Sequence, residues 1–200
     1  MKQLALGISP PPQPTLENFV AGTNAELLAR LRALVAGTLG ENIVYLWGEA
    51  GSGKSHLLVA CALAGLQTAD DVERLDEAGQ VELFHRINEA REPGGALLAA
   101  GRSPPAQLAL REDLRTRLGW GLVYQVKTLS DSERAEFLRS EAARRGMRLA
   151  DDVIGYLLTH VRRDLRSLAA ILDRLDRASL ERHRHITVRF ARDALNTSEQ

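Results

Sequence analysis

Residues 43–55 read Ile-Val-Tyr-Leu-Trp-Gly-Glu-Ala-Gly-Ser-Gly-Lys-Ser. The first five are apolar or aromatic, which is typical of a buried strand in a parallel sheet. The last eight match the phosphate-loop pattern, in which a glycine, four further residues and a second glycine precede lysine and a hydroxyl residue. The apolar stretch over residues 56–64 predicts a helix. Strand, glycine-rich loop and helix in this order predict a P-loop in a parallel α/β sheet.

The residue types of this loop suit the binding of a polyphosphate. Its glycines let backbone N–H groups point at phosphate oxygens, and the following helix N-terminus adds partial positive charge. We expect Lys54 to bind the terminal phosphates and the Ser55 hydroxyl to ligate Mg²⁺. The predicted ligand is ADP or ATP with Mg²⁺, and the loop does not distinguish the two nucleotides because it binds phosphates that both carry. The other predicted nucleotide contacts are Gly48, Gly51, Ser52, Gly53 and His56.

Asp70 and Asp71 are candidates for an acidic pair that helps to hold Mg²⁺. Such a pair follows a strand next to the P-loop strand, and carboxylate oxygens are ligands that Mg²⁺ accepts. Residues 66–69, Leu-Gln-Thr-Ala, are a poor match to a buried strand, and an Asp-Asp pair at a helix start is often only an N-cap. Both interpretations stay open from the residues alone.

Composition limits the classes of function. Lys plus Arg and Asp plus Glu both number 26, so the whole chain offers no electrostatic basis for tight binding to nucleic acid or to an acidic membrane. The single cysteine, Cys61, excludes an internal disulfide. No segment approaches the ~20 apolar residues that span a bilayer. We expect a cytoplasmic protein with no membrane partner.

The chain divides into three predicted regions. Residues 1–15 combine a short tail with a proline-rich tether, which is expected to be extended. Residues 16–129 carry the predicted α/β domain, with further strands at residues 96–100 and 122–126. Residues 130–200 begin with Ser-Asp-Ser-Glu, a capping box, and then show three helical patterns, which predicts a small helical lid. Asn24 is predicted to be the N-cap of the first helix.

Taken in order, these stretches resemble the Hda family of DnaA-related regulatory inactivators, which are AAA+ proteins. The resemblance extends over nearly the whole chain. Besides the P-loop and its strand, it is carried by residues 3–6, 19–24, 113–121, 129–131, 163–168 and 175–180.

The resemblance implies roles for residues outside the P-loop. It implies that Gln3, Leu4 and Leu6 dock on the sliding clamp, the beta subunit of DNA polymerase III, and that DNA is contacted indirectly through the clamp. It implies that Arg117 is an arginine finger acting on ATP held by DnaA, and that Arg166 senses bound nucleotide from the lid. The implied function is a clamp-bound, ADP-bound adaptor that stimulates hydrolysis of DnaA-bound ATP and prevents re-initiation. An arginine finger needs a neighbour's nucleotide, which implies self-association or pairing with DnaA.

The chain departs from the family pattern in two places. Asp70 follows Lys54 by only sixteen positions, too few for the extra strand and helix of a full AAA+ core, so an edge strand is missing or a segment is absent. Gly101 stands where the family offers a polar or acidic sensor, and a glycine cannot position a lytic water. We therefore expect weak or no ATPase activity of its own. The alternatives are a DnaA-paralogue helicase loader and a self-sufficient AAA+ ATPase.

Overall fold

A computed structural model describes residues 13–162, 164–182 and 185–196. The strands are β1 (Ile43–Trp47), β2 (Gln67–Ala69), β3 (Leu97–Gly101) and β4 (Leu122–Gln125). The helices are α1 (Ala25–Val35), α2 (Lys54–Leu63), α3 (Glu77–Ala90), α4 (Glu112–Leu118), α5 (Asp131–Arg144), α6 (Asp151–His160), α7 (Leu165–Arg182) and α8 (Val188–Asn196).

The chain forms two compact units. The first contains the described residues up to Phe19 together with Leu27–Trp47 and Lys54–Gln125. The second contains Val20–Glu26, Gly48–Gly53 and the chain from Val126 onward. Among the helices of the described ranges, none is long and apolar enough to cross a membrane.

The first unit is built on a parallel sheet. Within the described residues its four strands lie in the order β2-β3-β1-β4, and every pair of neighbours is parallel. The two central strands, β1 and β3, are buried almost throughout, which matches their continuous apolar sequence. Their side chains pack against α3 and α4 in one core. The predicted parallel α/β fold is confirmed.

The short connection after the P-loop helix is a tight turn. Gly65 has a φ of 93°, and the Leu66 N–H donates to the Cys61 carbonyl at 3.0 Å. This is the glycine-ended closure that commonly terminates a helix. The chain then enters β2 at the sheet edge, and no further strand or helix lies between α2 and β2.

Cys61 is fully buried on α2. Burial raises the pKa of its thiol to about 11, so almost no thiolate exists at neutral pH. Because the thiolate is the reactive form, this cysteine is structural, as the apolar sequence around it predicts.

The second unit is helical from α5 onward. The predicted capping box is confirmed: the Glu133 N–H donates to the Ser130 hydroxyl, and the Ser130 N–H donates to the Glu133 carboxylate. Among the described residues after Ser130 there are four helices, whereas the sequence predicts three. The one that sequence reasoning missed is α8, a helix of nine residues whose buried face consists of one aromatic and two alanines. Its buried residues are Phe190, Ala191 and Ala194.

The predicted capping role of Asn24 is wrong. Asn24 directly precedes α1, but its side-chain oxygen accepts from the Lys127 N–H at 2.8 Å and its amide donates to the Lys127 carbonyl at 2.9 Å. Both partners belong to the second unit. A side-chain amide can pair with both groups of one backbone residue, and this long-range pairing replaces the local cap.

Candidate functional site

The loop after β1 has a backbone that only glycine adopts without strain. Gly48, Gly51 and Gly53 have φ values of 154°, 81° and 101°. At Gly48 space is also restricted, because a Cβ there would lie 2.5 Å from the Val126 carbonyl oxygen. The glycines that the motif requires are therefore required by the observed backbone as well.

Ser52 supplies a test of whether this loop fits a phosphate group. Its side chain is buried, and its hydroxyl oxygen has no hydrogen-bond partner. A buried hydroxyl without a partner is costly unless a ligand or water satisfies it. Phosphate oxygens accept hydrogen bonds, so this orphaned donor fits a phosphate bound in the loop.

Lys54 begins α2 as a largely buried cation, 8% exposed. Burial lowers the pKa of its ammonium, and the nearby carboxylates of Asp70, Glu73 and Asp71 partly oppose this effect. A buried cation at a helix N-terminus suits a phosphate, because the helix dipole favours an anion at the same place.

The structure brings Ser55 and Asp70 together. The Ser55 hydroxyl donates to the Asp70 carboxylate at 2.8 Å across the short connection. A hydroxyl and a carboxylate are a usual protein contribution to a Mg²⁺ ion whose remaining ligands are phosphate oxygens and waters. Among the described residues no group of three or more His, Cys, Asp or Glu could hold a metal ion. The Ser55 hydroxyl and the Asp70 carboxylate are a donor pair that fits Mg²⁺ shared with a nucleotide.

Asp71 is positioned differently from its neighbour. It has a φ of 45°, the one positive value recorded for a non-glycine residue among the described residues, and its carboxylate lies 3.2 Å from Arg74. Its backbone N–H donates to the Asp70 carboxylate at 2.8 Å. Of the two candidate acids, Asp70 is the one that contacts Ser55.

Glu73 was missed by the sequence reasoning. It lies in a short 3₁₀ turn after the acidic pair, and both of its carboxylate oxygens are buried without a hydrogen bond. It forms an ion pair with Arg102, whose Nε lies 3.4 Å from Oε1. The one feature of the sequence that could have indicated it is Gly101. A glycine at this position leaves space that the side chain of another residue can occupy, and Glu73 occupies it.

Arg117 lies on α4 and is held by side chains of the same unit. Its guanidinium donates to the Asn88 side-chain oxygen at 2.5 Å and lies over the Phe84 ring, 4.2 Å from the centroid. It also lies 5.0 Å from the centroid of Trp120. These contacts restrict the rotamers of a long side chain, so the guanidinium is ordered before any partner binds.

The remaining predicted site residues are scattered or undescribed. His56 contacts the Thr15 carbonyl at 2.9 Å through Nε2, and its ring lies 5.5 Å from that of Phe19. Arg166 is exposed near the start of α7. Outside the described residues lie Gln3, Leu4 and Leu6.

Solved structures with a similar fold include DnaA and RuvB. Domain III of the Thermotoga maritima replication initiation protein DnaA has a TM-score of 0.75 and 20% identity, covering 93% of this chain and 97% of that chain. AMPPCP-bound DnaA from Aquifex aeolicus has a TM-score of 0.68 and 21% identity, covering 81% of this chain and 64% of that chain. A RuvB variant from Thermotoga maritima has a TM-score of 0.69 and 16% identity, covering 93% and 72%.

Comparison with other sequences identifies the family to which the chain belongs. Residues 131–195 match the family described as Hda, lid domain. An uncharacterized protein of Haemophilus influenzae is 32% identical over 229 residues, covering 98% of this chain and 99% of that protein. Because this chain has 200 residues, an alignment of that length places gaps in it, as expected for a shortened AAA+ core. The chain therefore belongs to the Hda-like, DnaA-related AAA+ proteins.

Proposed function

We propose that this protein is a regulatory adaptor of replication initiation: it binds ADP, docks on the sliding clamp and stimulates hydrolysis of ATP held by DnaA. The observation that carries the proposal is the ordered guanidinium of Arg117. A guanidinium has five N–H donors, and its hydrogen bond to Asn88 uses one nitrogen. The fork can therefore also bind the phosphates of a partner's nucleotide, as an arginine finger does.

Adenine nucleotide is the proposed ligand of the P-loop. DnaA of the same fold has been solved with bound AMPPCP. In this chain the loop N–H groups and the Ser52 hydroxyl would bind phosphate oxygens, and Lys54 would neutralise their charge. Ser55 and Asp70 would hold the Mg²⁺ that accompanies the nucleotide.

The nucleotide of this chain is proposed to have a structural role. Gly101 ends β3 without a polar side chain that could orient a lytic water. We infer that the isolated protein turns over ATP slowly or not at all. The accelerated chemistry then takes place on the partner, with Arg117 supplied in trans.

The proposed clamp contact involves Gln3, Leu4 and Leu6. A peptide at a free end can enter a groove on another protein without distorting its own fold. The sequence after it is rich in proline, a composition that favours an extended spacer. Clamp docking would place the adaptor on DNA indirectly and bring it close to DnaA bound there.

The test is single-turnover hydrolysis of ATP preloaded on DnaA, in the presence of this protein, ADP and DNA-loaded clamp. We expect acceleration by the parent protein and its loss, by about 10³-fold or more, in Arg117→Ala. Arg117→Lys is also expected to fail because an ammonium cannot replace the guanidinium fork.

Two controls complete this experiment. Arg115→Ala changes an arginine on the same helix and should keep full stimulation. Deletion of residues 1–8 should abolish stimulation that depends on the clamp. No acceleration by a parent protein with confirmed nucleotide binding would contradict the adaptor proposal, and unchanged cellular activity after the deletion would favour a helicase loader.

A further inference from the structure

Asp70, the acid proposed to hold Mg²⁺, follows an edge strand of the sheet. β2 consists of Gln67–Ala69, and within the described residues β3 is the one strand that pairs with it. A strand at the edge of a sheet has a row of backbone N–H and C=O groups that no second strand satisfies. The backbone that leads to Asp70 is therefore held by strand pairing on one side only.

The backbone directly after Asp70 is strained. Asp71 has a φ of 45°, in the left-handed region that is unfavourable for residues other than glycine, and such a conformation persists only where other contacts maintain it. The Asp70 carboxylate accepts hydrogen bonds from the Asp71 N–H and from the Ser55 hydroxyl, both at 2.8 Å. Asp70 thus lies between a strand that is paired on one side and a strained turn, and its position depends on what else holds β2.

Arg86 of α3 attaches β2 a second time. Its Nη2 donates to the Thr68 carbonyl at 2.7 Å, and its Nε donates to the Gln67 side-chain oxygen at 3.3 Å. The first of these bonds goes to the backbone of the strand, two residues before Asp70. The planar guanidinium donates from two nitrogens in a fixed geometry, so it restrains the strand more firmly than a single flexible donor would.

The helix that carries Arg86 is fixed in the core of the first unit. Leu83 and Ile87, on either side of Arg86 in the sequence, are buried in the core that also contains residues of β1 and β3. Arg86 itself is half-buried, and Glu89 of the same helix accepts from the Gln67 amide at 3.5 Å. α3 therefore supports the edge strand through side chains whose own helix is held by packing.

We propose that Arg86 is a positioning residue for the Mg²⁺ ligand Asp70: it fixes the edge strand and thereby the place of the carboxylate that follows it. This inference rests on the proposed nucleotide-binding function. Mg²⁺ requires a nearly ideal octahedral arrangement of its ligands, so a displaced carboxylate is a poor ligand. Arg86 acts through the backbone of Thr68 rather than on the ion or the nucleotide.

The test is the dependence of ADP affinity on Mg²⁺ in the full chain. Dissociation constants for ADP are measured by titration calorimetry in EDTA and in MgCl₂, and the ratio of the first to the second gives the enhancement by Mg²⁺. We expect Arg86→Ala to reduce this ratio by about tenfold, as the loss of a group that orients a metal ligand does, with the constant in EDTA nearly unchanged. A loss of stability alone would leave the ratio unchanged, because a smaller folded fraction weakens both affinities alike.

Further variants make the test specific. Asp70→Asn should also reduce the ratio, and adding Arg86→Ala to it should cause no further loss, because both changes act on one ligand. Arg86→Met keeps the apolar stem without the donors, so it should match Arg86→Ala and replaces it should that variant fail to fold. Arg86→Lys should retain part of the enhancement, since an ammonium can still donate to the Thr68 carbonyl. Arg91→Ala removes an exposed arginine at the end of the same helix, which lies over Trp120, and should leave the ratio unchanged.

Three results would overturn the proposal. One is an unchanged ratio in Arg86→Ala and Arg86→Met, and another is a further loss when Arg86→Ala is added to Asp70→Asn, which would place its effect elsewhere. The third is a parent protein whose ADP affinity does not respond to Mg²⁺. None of these results contradicts the adaptor role, which is measured by stimulation of DnaA. If the parent protein does not bind ADP, both proposals fail.

Discussion

Gly48 is the residue at which the backbone of the phosphate loop leaves no room for a side chain. Its φ of 154° is unfavourable for other residues, and a Cβ would lie 2.5 Å from the Val126 carbonyl oxygen. The loop must move to accommodate any replacement. Because phosphate binding depends on the directions of the loop N–H groups, such a movement would reduce affinity as well as stability.

We expect Gly48→Ala to lower the free energy of unfolding by about 1–3 kcal/mol and to weaken ADP binding. Gly40→Ala is the matched control, since a Cβ there meets nothing within 4 Å and its φ is not positive. Urea unfolding and calorimetric titration with ADP measure the two effects. Equal stability and affinity in both variants would show that the loop tolerates a side chain.

At the scale of single residues, a role that depends on neighbours in the chain was easier to predict than one that depends on distant residues. The helix predicted over residues 56–64 is present but begins two residues earlier, at Lys54. The sequence left open whether Asp70 is a Mg²⁺ ligand or an N-cap, because the residues before it match a buried strand poorly. Its contact with Ser55 supports the Mg²⁺ interpretation. Glu73 was missed because its importance depends on Gly101, a residue of another strand.

Two glycines of the second unit are expected to affect stability in opposite directions, because one lies inside a helix and the other follows a helix end. Gly155 is an exposed residue inside α6, and Gly146 follows α5 with a φ of 74°. A Cβ would meet nothing within 4 Å at either position. The two substitutions therefore differ in backbone conformation rather than in packing.

We expect Gly155→Ala to stabilise the protein by about 0.5–1 kcal/mol, because alanine has the higher helix propensity. Gly146→Ala should destabilise it by about 1 kcal/mol or more, because alanine is strained at positive φ. Denaturant midpoints of the two variants and the parent protein measure the difference. Shifts of the same sign would mean that propensity and backbone strain do not control these helices.

At the scale of elements, long apolar patterns were predicted well and short ones poorly. Helix α7 buries Leu168, Leu172 and Leu175 on the predicted face. Leucines at helical spacing lie on one face of a helix, so the sequence alone identifies the face that is buried. β2 has only three residues and mixed polarity, and its existence depends on pairing with β3 at the sheet edge. An edge strand needs less burial than a central one, so its sequence is less distinctive.

The whole molecule should respond to nucleotide through linked stability. A ligand that binds only the folded protein stabilises it by about 2.7 kcal/mol when its concentration is a hundredfold above Kd. For a chain of this size we expect ADP with Mg²⁺ to raise Tm by roughly 5–10 °C. Lys54→Ala should abolish the shift, and a shift that persists in this variant would place the ligand elsewhere.

The P-loop fold, the helical lid and the family follow from contiguous patterns: a strand with its phosphate loop, a capping box and leucine periodicity. These features can be predicted from the sequence because each depends on residues that are close together in the chain. The pairing of Asn24 with Lys127, the hydrogen bond of Ser55 to Asp70 and the pairing of β2 with β3 join residues distant in the chain. Such contacts emerge only on folding, because they depend on sheet order.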